Sequence, residues 1–126
     1  MLLIRCPYCE EERPELEFRN AGEAHIARSG NPAETSDEDF EAFFFIRSNP
    51  KGIIYERWRH IHGCARFFNA VRDTVTDKFV MTYKAGEPKP VTLPSGAPEP
   101  AAWANRPPDQ LNVKPSRKRP AKSAKE

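Results

Sequence analysis

Three cysteines and a short histidine cluster constrain what this chain can fold into. They stand as Cys6-Pro7-Tyr8-Cys9 and His60-Ile61-His62-Gly63-Cys64. The foldable stretch around them is small. Of 13 prolines in 126 residues, only Pro7, Pro14, Pro32 and Pro50 precede Gly86. Residues 87–126 are therefore expected to form a Pro- and Lys-rich disordered tail, leaving residues 1–86 as one domain. A domain of that size buries only about 60–65 % of the surface its unfolded chain exposes. Such domains need a staple, either disulfides or a metal. An odd number of cysteines cannot all pair. The opening Met1-Leu2-Leu3-Ile4-Arg5-Cys6 also lacks the charged segment and long apolar run of a secretory signal. The reducing cytoplasm is then the expected compartment, where disulfides are rare. A metal is the expected staple.

Structural zinc takes four ligands in a tetrahedron, and three cysteines with one histidine are a standard set. In C-x-x-C, a tight knuckle aims two thiolates at one point. Pro7 stiffens that knuckle, and Gly63 is expected to give the second one a backbone conformation that side chains resist. His60 precedes Cys64 by four residues, enough chain to turn both side chains inward. His62 is two residues away, and in extended chain such side chains lie about 7 Å apart. Spacing thus favours Cys6, Cys9, His60 and Cys64, with His62 as the rival and His25 remote in sequence. Two other readings compete. A redox dithiol would sit in a thioredoxin-like βαβ pattern, which is missing here. Free cysteines also serve as small buried hydrophobes. Four protein ligands would close the site, whereas catalytic zinc keeps a position open for water. The chain has no Gly-rich phosphate loop and no G-x-S-x-G elbow. Its acidic groups at 10–12 and 37–39 read as solvated turns and a helix start, so no catalytic residue is assigned.

The rest of the chain reads as mostly β. Strands are expected at Leu2–Arg5, Ile53–Arg59, Arg66–Arg72 and Lys78–Lys84, the last with Phe79, Met81 and Tyr83 on one face. Glu10–Pro14 reads as a turn or loop. Asn20-Ala21-Gly22 reads as a turn, with Glu23–Arg28 as its return strand. Thr35-Ser36-Asp37-Glu38 fits a capping box with Thr35 as N-cap, opening a short helix. Phe43–Arg47 also reads as a buried strand, and with the turn Ser48–Gly52 it would make a hairpin over 43–59. The aromatic residues Phe40, Phe43, Phe44, Phe45, Tyr55, Trp58, Phe67, Phe68, Phe79 and Tyr83 are expected in the core. Some apolar surface is left over for a partner. The expected class is α+β, mostly β: a small zinc-ribbon-like domain with two knuckles and one short helix.

Charge and hydropathy limit the partners. Residues 1–86 carry 12 Lys+Arg against 14 Asp+Glu, a net −2, and residues 87–126 carry +4. A nucleic-acid domain normally presents a basic face, so the folded part argues against that partner. A stand-alone zinc ribbon binding nucleic acid or protein stays as the alternative, with Arg117-Lys118-Arg119 for phosphates. The longest apolar run, Ala42–Ile46, is far short of the roughly twenty residues a membrane span needs.

Longer phrases carry a resemblance. Cys6-Pro7-Tyr8-Cys9, Phe45-Ile46-Arg47-Ser48-Asn49-Pro50-Lys51-Gly52, Glu56-Arg57-Trp58-Arg59-His60, Gly63-Cys64, Phe68-Asn69, Arg72-Asp73-Thr74-Val75-Thr76 and Thr82-Tyr83-Lys84 follow in that order. Over residues 1–86 the chain resembles the delta subunit of heterotetrameric sarcosine oxidase. The resemblance implies the smallest chain of an alpha-beta-gamma-delta complex. Such a complex oxidatively demethylates sarcosine to glycine, with hydrogen peroxide as product and tetrahydrofolate as methylene acceptor. It also implies FAD, FMN and NAD on the larger chains and zinc on this one, its ligands falling on Cys6, Cys9, His60 and Cys64. His62 inside the second knuckle and the long tail, with its Trp103, depart from the family pattern.

Overall fold

The computed structural model describes residues 2–28 and 30–94. The expected tail from 95 onward, with Trp103 and the basic run, lies outside the described residues. Two antiparallel sheets make the domain. A two-stranded ribbon pairs β1 (Leu3–Arg5) with β2 (Glu12–Pro14). After a single 3-10 turn at Glu15–Glu17 comes β3 (Phe18–Glu23), and then α1 (Asp37–Phe45). The strands β4 (Ile53–His60), β5 (Phe67–Asp73) and β6 (Lys78–Lys84) complete a four-stranded sheet in the order β3-β4-β5-β6. Among the described residues no helix is long and apolar enough to cross a membrane.

One sheet carries two cores on opposite faces. In β4 the buried residues are Ile53 and Tyr55, then Glu56, Trp58 and His60. Side chains alternate along a strand, so burial switches face between Tyr55 and Glu56. Trp58 pairs with Phe68 and Glu56 with Ala70. That face packs with Ile4, Cys6 and Phe18 under the β1–β2 ribbon. Tyr55 pairs with Val71, and that opposite face packs with Ile53, Ala24 and Tyr83. The consecutive apolar residues of β5 follow from this: Phe68, Asn69, Ala70 and Val71 are all buried because both faces of a central strand are covered.

A bulge divides β6 between the cores. Met81 pairs with Val71 but Phe79 with Arg72, which leaves Val80 as an extra residue. An extra residue inverts the alternation. Phe79 therefore joins the ribbon-side core, edge-on to Trp58 at 5.3 Å, while Tyr83 lies in the other. The three do not share one face.

Other sequence expectations are corrected. Glu12–Pro14 is a strand, held against β1 by the tight knuckle between them. Asn20-Ala21-Gly22 is a bulge inside β3: Asn20 pairs with Trp58 and Glu23 with Glu56, with Gly22 at φ 92°. The same φ > 0 preference suits a bulge as well as a turn, and 25–28 is irregular. Ser36, one residue past Thr35, caps α1 by accepting the Asp39 amide at 3.2 Å. The helix runs through Phe45, so no strand or hairpin covers 43–47. The partners of β4 are β3 and β5. Nor is every aromatic core: α1 has no buried residue, and Phe40, Phe44, Phe45 and Phe67 are exposed.

The packed chain continues past Gly86. Lys89 Nζ lies 4.2 Å over the Tyr55 ring, Tyr55 Oη donates to the Pro90 carbonyl at 3.4 Å, and Leu93 packs on the second core. Lys89, Pro90 and Leu93, placed in the tail by composition, thus touch the second core, while Val91 between them is 98 % exposed.

Candidate metal centre

Two backbone loops converge at the ribbon end of the sheet. In the first, the Glu10 amide donates to the Cys6 carbonyl at 2.8 Å and the Cys6 amide to the Glu11 carbonyl at 3.0 Å. The second repeats this closure one residue longer. Ala65 N–H donates to the His60 carbonyl at 2.8 Å, and His60 N–H to that of Arg66 at 3.2 Å. In each loop the residue after the last cysteine is left-handed, Glu10 at φ 61° and Ala65 at φ 57°. That conformation costs a side-chain-bearing residue about 1 kcal/mol, and it turns the chain back so that both ends of the loop face inward.

The loops bring Cys6, Cys9, His60 and Cys64 together, with one donor atom from each lying within 4.8 Å of the others. Cys6 Sγ is 3.7 Å from Cys64 Sγ. His60 Nδ1 is 3.5 Å from Cys9 Sγ and 3.7 Å from Cys64 Sγ. A tetrahedron with Zn–S of about 2.3 Å and Zn–N of about 2.0–2.1 Å has edges of roughly 3.8 Å between sulfurs and roughly 3.6 Å between sulfur and nitrogen. The donor set therefore fits zinc in chemistry, and these three edges fit it in size. His62 is exposed, and so is His25, whose ring stacks on Tyr83 at the edge of the second core with its Nε2 2.5 Å from the Tyr83 hydroxyl.

The His60 ring is held from every side. Phe18 stacks on it at 4.3 Å, and its Nε2 donates to Glu17 Oε2 at 3.1 Å. That bond fixes the tautomer with Nδ1 unprotonated toward the sulfurs, the usual carboxylate–histidine arrangement at metal sites. Arg13 Nε donates to the same carboxylate oxygen at 3.1 Å. Arg13 and His60 together hold the Glu17 carboxyl below its ordinary range. Sequence spacing did not reveal Glu17, because its position opposite His60 comes from the pairing of Phe18 with His60 across β3 and β4. Gly63 also has a different role from the one expected. It is not among the glycines with positive φ, but a Cβ there would overlap Nδ1, Cε1 and Nε2 of His60. Glycine is needed for room, not for backbone freedom.

Three thiols this close do not ionise together unaided. Burial, with Cys6 and Cys64 adjacent, pushes the Cys9 thiol up to about 11. Burial also opposes ionisation of Cys64, but a hydrogen bond from the Arg66 backbone helps bring the thiol down to about 7. A divalent cation supplies the charge that lets all three bind as thiolates.

A second network, also unseen in the sequence, braces the sheet beneath the centre. Buried Glu56 takes two hydrogen bonds from Arg72, at 2.7 and 2.9 Å, and one from Trp58 Nε1 at 2.9 Å. Arg72 also pairs with Asp77.

The sequence model of the sarcosine oxidase, delta subunit family matches residues 3–85, which span both loops and the whole sheet. A chain named sarcosine oxidase subunit delta from Corynebacterium sp. is 48 % identical over 90 residues, covering 71 % of this chain and 91 % of that one. One of the same name from Arthrobacter sp. matches to the same extent. Another, from Rhizobium meliloti, is 38 % identical over 74 residues, 59 % of this chain and 76 % of its own. With the matched region coinciding with the folded domain and its Cys/His centre, this chain belongs to the sarcosine oxidase delta subunit family.

Proposed function

We propose that this chain is the zinc-bearing, non-catalytic small subunit of a cytoplasmic heterotetrameric sarcosine oxidase. Zn2+ is held by Cys6, Cys9, His60 and Cys64. The partners are alpha, beta and gamma chains that carry FAD, FMN and NAD. The assembly converts sarcosine to glycine, passes the methylene group to tetrahydrofolate and releases hydrogen peroxide. The observation that carries this reading is the four-donor cluster, three of whose six edges have the lengths of a zinc tetrahedron while all lie within 4.8 Å. Four protein donors leave no position for a reacting molecule. The centre then serves structure: it ties the β1–β2 ribbon, through Cys6 and Cys9, to the end of β4, through His60 and Cys64. Assembly is supported by α1, which buries none of its residues and leaves Phe44 and Phe45 53 % and 75 % exposed. A small domain gains nothing from such surface unless another chain covers it.

Co-expression with the three larger chains tests this. The product should contain one zinc per copy of this chain and release hydrogen peroxide from sarcosine, while the isolated chain should hold no flavin and turn over nothing. Cys64→Ser should lower the yield of assembly more than turnover per assembled complex. Full assembly with lost turnover would place the metal in the chemistry and overturn the structural role.

A further inference from the structure

The phrase Glu56-Arg57-Trp58-Arg59-His60 is only half accounted for by the metal centre. Glu56, Trp58 and His60 point to the ribbon-side core, where they make the buried ion pair, its indole donor and the ligand-bearing ring. Arg57 and Arg59 point to the opposite face. There the second core has ended, and both are exposed. Arg19 lies directly across from Arg59 in β3, on the same face and also exposed. Phe67 lies across from Arg59 on the other side, in β5. The Arg57 guanidinium sits 4.2 Å over the Phe67 ring and that of Arg59 5.3 Å from it.

This arrangement works against the fold. Like charges directly opposite on adjacent strands are destabilising, and among the described residues no carboxylate forms an ion pair with Arg19, Arg57 or Arg59. The patch also stands out against a domain whose net charge is −2 over residues 1–86. It is ordered nonetheless. Both guanidinium groups lie against the Phe67 ring, and Arg59 Nε donates to the Ala65 carbonyl at 3.0 Å, anchoring the side chain to the second knuckle. Guanidinium groups resting against an aromatic ring can still offer N–H groups for paired hydrogen bonds to carboxylates.

We infer that this open sheet face, built on Arg19, Arg57, Arg59 and Phe67, docks an acidic segment of a larger subunit of the complex. Aspartate or glutamate carboxylates of that segment receive the guanidinium edges. The inference rests on the assembly reading above and gives it a surface and a partner chemistry. Charge complementarity selects the occupant: three cations that pair with no carboxylate among the described residues meet an anionic strand or loop. The anchor through Ala65 ties the patch to the metal loop, so loss of the metal would loosen it.

The test uses the full chain co-expressed with the larger subunits. R57E/R59E should cut the amount of this chain retained in the purified complex at least tenfold, and raising salt should release the wild-type chain. Zinc content and thermal melting of the free variant should match the wild type, which separates docking from folding. R57K/R59K should restore docking and add amines that a zero-length carbodiimide can join to the partner's carboxylates, identifying the acidic segment. If the wild-type chain is not retained, the assembly reading falls and this inference with it. Equal retention of the wild type and R57E/R59E would overturn this inference alone. So would tight, salt-sensitive binding of a DNA duplex or single-stranded RNA by the wild type that R57E/R59E abolishes, because the patch would then serve phosphates.

Discussion

Replacing Gly63 with alanine separates the role of space from the role of backbone freedom. A Cβ at residue 63 overlaps three atoms of the His60 imidazole. Neither group has room to yield. The ring is stacked on Phe18 at 4.3 Å and held at Nε2 by Glu17 at 3.1 Å, and residue 63 lies in a loop closed by the Ala65–His60 and His60–Arg66 hydrogen bonds. Over-packing of this kind costs about 1–3 kcal/mol. If the ring moves instead, it forfeits a hydrogen bond to a charged group, about 1.5–3 kcal/mol, and carries Nδ1 away from the sulfurs. Either route falls on the metal centre. Gly63→Ala should therefore weaken zinc binding about 10–100-fold, the range seen when the support of a ligand is removed. The assay is competition with a chromophoric chelator, run beside Gly52→Ala. Gly52 has φ 111° with open space at its Cβ position, so that variant should lower the melting temperature and leave zinc affinity unchanged. Wild-type zinc affinity in Gly63→Ala would refute the steric reasoning.

Three further outcomes follow from the same geometry. Glu17→Gln keeps the shape but removes the carboxylate that orients His60, and should weaken zinc binding about 10-fold by chelator competition. Ala65→Gly relieves the left-handed conformation at φ 57° and should stabilise the zinc-loaded chain by up to about 1 kcal/mol in urea unfolding. A loss of stability there would show that the Ala65 methyl packs usefully. Burial, with a smaller contribution from Lys89, depresses the His25 pKa below its ordinary 6.5. The unfolded chain then takes up the proton first. His25 contributes its full stability above about pH 6.5 and loses it as pH falls toward the depressed value. His25→Gln should remove that part of the pH slope at saturating zinc, and an unchanged slope would contradict it.

What was legible in the sequence was local. The knuckle residues Cys6, Cys9, His60 and Cys64 could be picked out because short spacings limit which side chains reach one point. The strands β4, β5 and β6 announced themselves through β-branched and aromatic runs between turn residues. Glu17 could not be found this way, since it lies 43 residues from His60 and meets it only through strand pairing. The switch of face in β4 was hidden for a related reason. Alternation shows that a strand has two faces, but not which one is covered at each end. Only the ribbon over one end, and Ala24 with Lys89, Pro90 and Leu93 at the other, decide that. The phenylalanines of α1 make the same point from the opposite side: hydrophobicity marked them for burial, yet the helix buries none of its residues and Phe40, Phe44 and Phe45 stay exposed. The sequence by itself marked the three cysteines with a nearby histidine, favouring His60 over His62, and the strands that carry them. The tertiary structure decided which carboxylate steadies the ring, why residue 63 has no side chain, and which arginines are left facing outward, because each depends on contacts between segments far apart in the chain.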